Sequence, residues 1–193
     1  MNGGQNSGPG RIRIIGGDLR NSRLQVPDLP GLRPTPERVR ETLFNWLAPV
    51  IEGSRCLDLC AGTGALGIEA CSRGAVCVQF VERDASAAQA LRENLVRLKV
   101  AVGQVTLLDA RQFLQGTAQP FDVVFLDPPF ALDLWTELAR QLEQGGWLAP
   151  NTLIYVESPA QGQQDLPVNW QLHREAKAGD VRFALYRRWH TLS

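Results

Sequence analysis

A chain of 193 residues, 44% hydrophobic and 21% charged, makes one globular domain with enough apolar mass for a core. No apolar run approaches the roughly 20 residues needed to cross a bilayer, so no membrane role is expected. The formal net charge is zero, yet it is unevenly spread along the chain.

Residues 1–10, MNGGQNSGPG, lack the charged start and apolar stretch of a signal peptide. They read as a disordered tail, and the expected location is cytoplasmic. RIRIIGG (11–17) and RLQV (23–26) suggest a small hairpin, and PERVRETLFNWL (36–47) a helix with proline at its start. From residue 55 onward, short β-rich runs alternate with helical patterns. Strands are predicted over 55–60, 76–82, 104–109, 121–127 and 152–158, and helices over 64–74, 85–100, 110–115 and 131–146. Ala88, Leu91, Leu95 and Leu98 give the second helix its spacing, and Gly145-Gly146 closes the last. Segments 169–178 and 180–189 alternate in period two and predict a closing antiparallel hairpin.

That order predicts an α/β fold, a doubly wound and mostly parallel sheet covered on both faces. The terminal hairpin departs from the usual dinucleotide-binding sheet, which is parallel throughout. It suits the class I methyltransferase (Rossmann-like) variant better. The chain divides into the tail 1–10, an N-terminal hairpin and helix over 11–50, and a core domain over 51–193.

LDLCAGTGALG (57–67) places Gly62-x-Gly64-x-x-Gly67 between a strand and a helix, and Glu82 ends the next strand. Glycines allow close approach of an adenosine ligand, and the carboxylate can accept from ribose hydroxyls. This motif alone does not separate NAD from S-adenosylmethionine. Asp58 favours the latter, because a carboxylate at this loop repels a pyrophosphate and attracts an amine and a sulfonium. Asp109-Ala110 ends the third strand, with an acceptor for an adenine amine and an apolar neighbour for the ring.

VVFLDPPF (123–130) stops a buried strand with Asp127, Pro128, Pro129 and Phe130. Proline fixes its own φ, restricts the residue before it and offers no N–H. The Asp127 and Pro128 oxygens are therefore expected as fixed acceptors, with Phe130 as a flat apolar face. Those parts suit an aromatic ring bearing an exocyclic amine, gripped so that its lone pair faces a methyl donor.

Cys56, Cys60, Cys71 and Cys77 show no CxxC spacing, so no metal is expected and the thiols read as core residues. All four precede the third strand, which places none near DPPF in sequence and argues against C5 methylation of a pyrimidine through a thiolate. Of the twenty basic residues eighteen are arginine. Residues 11–40 hold seven of them, and 171–190 form a second basic cluster. Arginine's planar fork suits phosphate and base stacking.

RIIGGDLRNSRL, GLRPTPERVRETLFNWL, LDLCAGTGALGIEA, VERD, VVFLDPPF, GGWL, LIYVES and the final hairpin together resemble the bacterial 16S ribosomal RNA guanine-N2 methyltransferases of the RsmD type. The resemblance covers about residues 11–190, and RIIGG combined with RPTPERVRETLFNWL is its most specific part. It implies S-adenosylmethionine as methyl donor and N2-methylguanine as product. The implied partner is 16S rRNA in the small ribosomal subunit or its assembly intermediate. A monomer is expected, since no seam for self-association stands out in the sequence. Asp58, Gly62, Thr63 and Gly64 would frame the cofactor, Glu82 with Arg83 would lie at the ribose, and Asp109 and Ala110 at the adenine. Asp127, Pro128, Pro129 and Phe130 would hold the base, and Arg11, Arg13, Arg20, Arg23 and Arg33 would grip RNA. The alternative within this chemistry is adenine-N6 methylation of DNA or RNA.

Overall fold

Runs such as Cys56-Leu57 and Val123–Leu126 are apolar at every position, the pattern of strands covered on both faces. In the computed structural model, which describes residues 11–189, they form the centre of a seven-stranded sheet. The expected tail over 1–10 lies outside the described residues. The sheet contains β3 (Arg55–Asp58), β4 (Cys77–Glu82), β5 (Gly103–Leu107), β6 (Phe121–Leu126), β7 (Leu148–Pro159), β8 (Trp170–Ala178) and β9 (Val181–Arg188). Their order is β5-β4-β3-β6-β7-β9-β8, with β3 to β7 parallel and β9 antiparallel to both of its neighbours. Strand order therefore reverses beside β3, which opens a crevice at the carboxyl ends of β3 and β6, where ligands collect in such sheets. The class I methyltransferase architecture expected from the sequence is present.

Helices α1 (Glu37–Leu47), α2 (Ala65–Ser72) and α3 (Ala85–Arg97) share one apolar cluster with Cys56, Phe80, Val123, Phe125 and Tyr155. Helices α4 (Ala110–Phe113) and α5 (Trp135–Gln144) cover the other face, over Leu57, Val81, Val124, Leu126 and Val156. The predicted helix over 131–146 starts late. Phe130–Leu132 form one 3-10 turn, and Asp133 follows at φ 45, a left-handed conformation that a right-handed helix cannot pass through. Strand β7 starts earlier than expected, at Leu148, and its register against β6 shifts between Phe121 and Val123.

The N-terminal hairpin, β1 (Arg11–Arg13) paired with β2 (Arg23–Gln25), is fastened to the core by a buried carboxylate. Glu69 on α2 is fully buried and accepts from the amides of Ile15 (3.0 Å) and Gly16 (2.9 Å). It also meets the Arg73 guanidinium at 2.9 Å and that of Arg40 at 3.6 Å. Arg40, buried on α1, donates to the carbonyls of Arg13 (3.0 Å) and Thr35 (3.1 Å). Asn94 on α3 secures the hairpin's far strand, accepting from Gln25 N and donating to Gln25 O. Glu69→Ala strands the Arg40 guanidinium and two amides in the interior. It should lower unfolding free energy by about 3–5 kcal/mol, measured as a shifted urea midpoint.

Candidate active site

Period-two alternation decides which strand-end carboxylates meet. Cys56, Phe80, Val123, Phe125, Leu153 and Tyr155 all face the α1–α3 side. Asp58, Glu82, Asp127 and Glu157, each two residues further along its strand, therefore project to that same side. Four acids from four adjacent strands converge above the sheet, on the face covered by the N-terminal extension. Three belong to the expected site, and Glu157 was not foreseen.

The glycine loop is tied to these acids. Gly62 donates to Glu82 (2.7 Å), Gly67 to Asp58 (3.0 Å), and Ala65 to the Thr63 hydroxyl (3.3 Å). The second Glu82 oxygen accepts from Asp84 N at 2.8 Å. Two of the three motif glycines serve packing. A Cβ on Gly64, which sits at φ 76, would lie 2.3 Å from Leu91 Cδ1, and one on Gly67 would lie 2.2 Å from Phe80 Cε1. Gly62 lies beneath Leu32, which would be 3.3 Å from an added Cβ, so the segment between β2 and α1 crosses the loop. A pyrophosphate would find the Gly62, Ala65 and Gly67 amides already engaged and carboxylates beneath them. A cationic adenosine ligand finds acceptors. The residues present fit S-adenosylmethionine: Asp58 would lie toward its charged end, and Glu82, which retains spare lone pairs, would be available to the ribose.

The remaining predicted cofactor residues are less uniform. Asp109 caps α4, and its two oxygens already take the Arg111 guanidinium at 3.0 and 3.1 Å. That contact holds the carboxyl below its ordinary value, so an adenine amine would share it with Arg111. Ala110 is buried, and Arg83 is exposed.

At the end of β6, the Asp127 carboxylate and the Pro128 carbonyl have no donor among the described residues. Pro128 is buried, Pro129 opens the 3-10 turn, and the half-exposed Phe130 ring packs on Trp135 at 5.5 Å. Beside them, Leu126 pairs with Val156, which makes Glu157 the cross-strand neighbour of Asp127. Glu157 Oε2 accepts from the hydroxyls of Tyr155 (2.7 Å) and Thr35 (3.2 Å). Burial raises the Asp127 pKa, helped by the charges of Glu157 and Asp58, and burial raises that of Glu157 as well. Trp135 Nε1 donates to the Glu157 carbonyl (2.8 Å), which joins the turn after DPPF to the same strand.

Cys60 corrects the sequence reading. Although distant from DPPF along the chain, it lies close enough to Asp127 to feel its charge. Burial first, then that carboxylate, push its thiol well above the ordinary value, so no thiolate is available there. The exclusion of thiolate chemistry holds for that electrostatic reason rather than for distance. Among the described residues, no group of three or more His, Cys, Asp and Glu side chains is placed to hold a metal, and no helix is long and apolar enough to cross a membrane.

Of the expected RNA contacts, Arg11, Arg20, Arg23 and Arg33 are exposed. Arg13 instead pairs at the surface with Glu37 and Asn21. Two arginines of the second basic cluster are engaged within the fold, Arg182 with Glu175 and Arg188 with Glu143.

The family described as conserved hypothetical protein 95 matches residues 12–187. Ribosomal RNA small subunit methyltransferase D of Escherichia coli is 52% identical over 183 residues, covering 94% of this chain and 92% of that one. The chain belongs to the RsmD family. The Haemophilus influenzae protein of the same name is 46% identical, covering 92% and 94% of the two chains. A solved Escherichia coli structure, 48% identical and covering 94% of this chain and 100% of that one, superposes with a TM-score of 0.88. Membership of the family agrees with the acidic crevice and with the class I methyltransferase fold.

Asp58 gives the site a signature in stability. Its pKa is raised from 3.8 to about 7, chiefly by burial. The folded chain thus holds this proton more tightly than the unfolded one. The resulting stability is full below the unfolded value and is lost as pH rises through about 7. Asp58→Asn removes that loss, so its melting temperature relative to wild type should rise between pH 5 and pH 8, on the order of 5 °C. Parallel thermal melts across that range check it, and an unchanged difference would contradict the assignment.

Proposed function

We propose that the chain transfers a methyl group from S-adenosylmethionine to the exocyclic N2 of a guanine in small-subunit ribosomal RNA, within assembling cytoplasmic particles. The observation that carries this reading is the Asp127 carboxylate, fixed at the crevice and without a protein donor among the described residues. Bound S-adenosylmethionine supplies an electrophilic methyl on a sulfonium. Asp127 and the Pro128 carbonyl accept from the target amine, hold its lone pair toward the methyl and favour the positive charge that grows on nitrogen. On gaining the methyl the nitrogen would give up one proton, and Asp127 is the adjacent group able to take it. Phe130 offers a face for the base. Small-subunit ribosomal RNA is supported by the names of the relatives, and guanine by the motifs through which the sequence resembles the guanine-N2 methyltransferases.

The extension over residues 11–50 serves as the RNA-contacting part, through Arg11, Arg20, Arg23 and Arg33. Arg13 acts there as a strut against Glu37.

Asp127→Ala should reduce kcat by about 100-fold or more while S-adenosylmethionine affinity stays within about threefold. Labelled methyl transfer to subunits lacking the modification, paired with calorimetry, measures both. Nucleoside mass spectrometry of a deletion strain identifies the product; loss of N6-methyladenine with N2-methylguanine intact would replace guanine by adenine. Arg20→Glu with Arg23→Glu should raise KM for the RNA particle with kcat unchanged, and should flatten its salt dependence. A titration of initial rates at several salt concentrations reads this out.

A further inference from the structure

Glu157 is 8% exposed, yet only one of its carboxylate oxygens is used by the fold. Tyr155 and Thr35 both donate to Oε2, and no described residue donates to Oε1. The same is true of the neighbouring Asp127 carboxylate. Asp127 is only partly buried, and the open oxygens of both acids are left accessible at the crevice. Two adjacent acids repel one another, and a ligand that brings donors to both relieves that repulsion. Glu157 is also held rigidly. It is fixed from its own strand through Tyr155 and from the N-terminal extension through Thr35, whose carbonyl is in turn held by the buried Arg40.

The two purines with exocyclic amines differ in the atom beside that amine. Guanine has N1–H next to its 2-amine, so two donors point the same way. Adenine has a bare N1 next to its 6-amine, a donor flanked by a lone pair. On the reading proposed above, on which this step rests, Asp127 takes the amine. We infer that Glu157 determines the choice of base, its free oxygen accepting the N1–H of the target guanine. An unprotonated N1 would instead set its lone pair against a carboxylate that Tyr155 and Thr35 keep in place, and rejection of such a base follows from that mismatch.

The test replaces the mapped target guanosine by 2-aminopurine, which keeps the 2-amine and lacks the proton on N1. Wild-type enzyme should methylate this position at least about 100-fold more slowly than guanine. Glu157→Gln, whose amide N–H can serve a bare N1, should lose rate on guanine and narrow the ratio to about tenfold or less. The loss of the 6-oxygen in 2-aminopurine affects both enzymes alike, so the change in ratio isolates Glu157. A purely structural role for Glu157 would lower both rates and leave the ratio unmoved, which would overturn the inference. Wild-type enzyme that accepts both bases equally would overturn it without any variant. Should Glu157→Gln fail to bind S-adenosylmethionine, Thr35→Val, which frees the carboxylate without removing it, should still narrow the ratio; an unaltered ratio there counts against the inference too. Wild-type enzyme that methylates adenine and not guanine would refute the proposed function itself, a result distinct from each of these.

Discussion

The carboxylate of Glu69 joins two parts of the molecule that the chain makes separately. It takes the amides after β1, and it takes Arg73 from its own helix and Arg40 from α1. Arg40 carries the connection onward to Thr35, and Thr35 carries it to Glu157. A buried guanidinium and a buried carboxylate are tolerable only when each is met by good partners, so this chain of contacts accepts little slack. Its effect is to hold the extension, with its exposed arginines, at a set position relative to the sheet edge. On the proposed function, a base delivered by RNA held on those arginines would arrive against Asp127 in a defined orientation.

The crevice itself is the opposite kind of structure. Asp127 lies within reach of the charges of Glu157 and Asp58, and burial adds to the cost at each of the three. A chain selected only for stability would place Leu or Asn at these strand ends. The strain is tolerated because the centre of the sheet beneath is apolar and the extension is clamped from a second side through Glu69. It also means that a cationic ligand relieves the protein while it binds, so affinity and folding draw on the same electrostatic imbalance.

Much of this was legible in the sequence, and the reasons are local. Alternating periods, the glycine loop, Glu82 at the end of its strand and the rigid DPPF are contiguous signals, and each was found where expected. The Thr35–Glu157 contact spans 122 positions, and no local pattern announces it. A signal did exist: VES ends its strand with an acid just as VERD and FLDPP do, and treating all strand ends alike would have added Glu157 to the site. Other readings failed through contacts that sequence does not show. Arg13 finds Glu37, two arginines of the second basic cluster find Glu143 and Glu175, and Cys60 is brought beside Asp127 by the pairing of β3 with β6. The late start of α5 depends on one left-handed residue, Asp133, whose type permits that conformation without demanding it.

The glycine loop carries a broader lesson. Leu91 and Phe80 occupy the space above Gly64 and Gly67, so these two positions answer to the fit of helix on sheet rather than to any nucleotide. A chain of this fold could take a different ligand and keep both glycines, with only the acids around them changed. The spacing of the glycines therefore reports how the helix seats on the sheet, while the carboxylates around them report the charge of the ligand the crevice accepts.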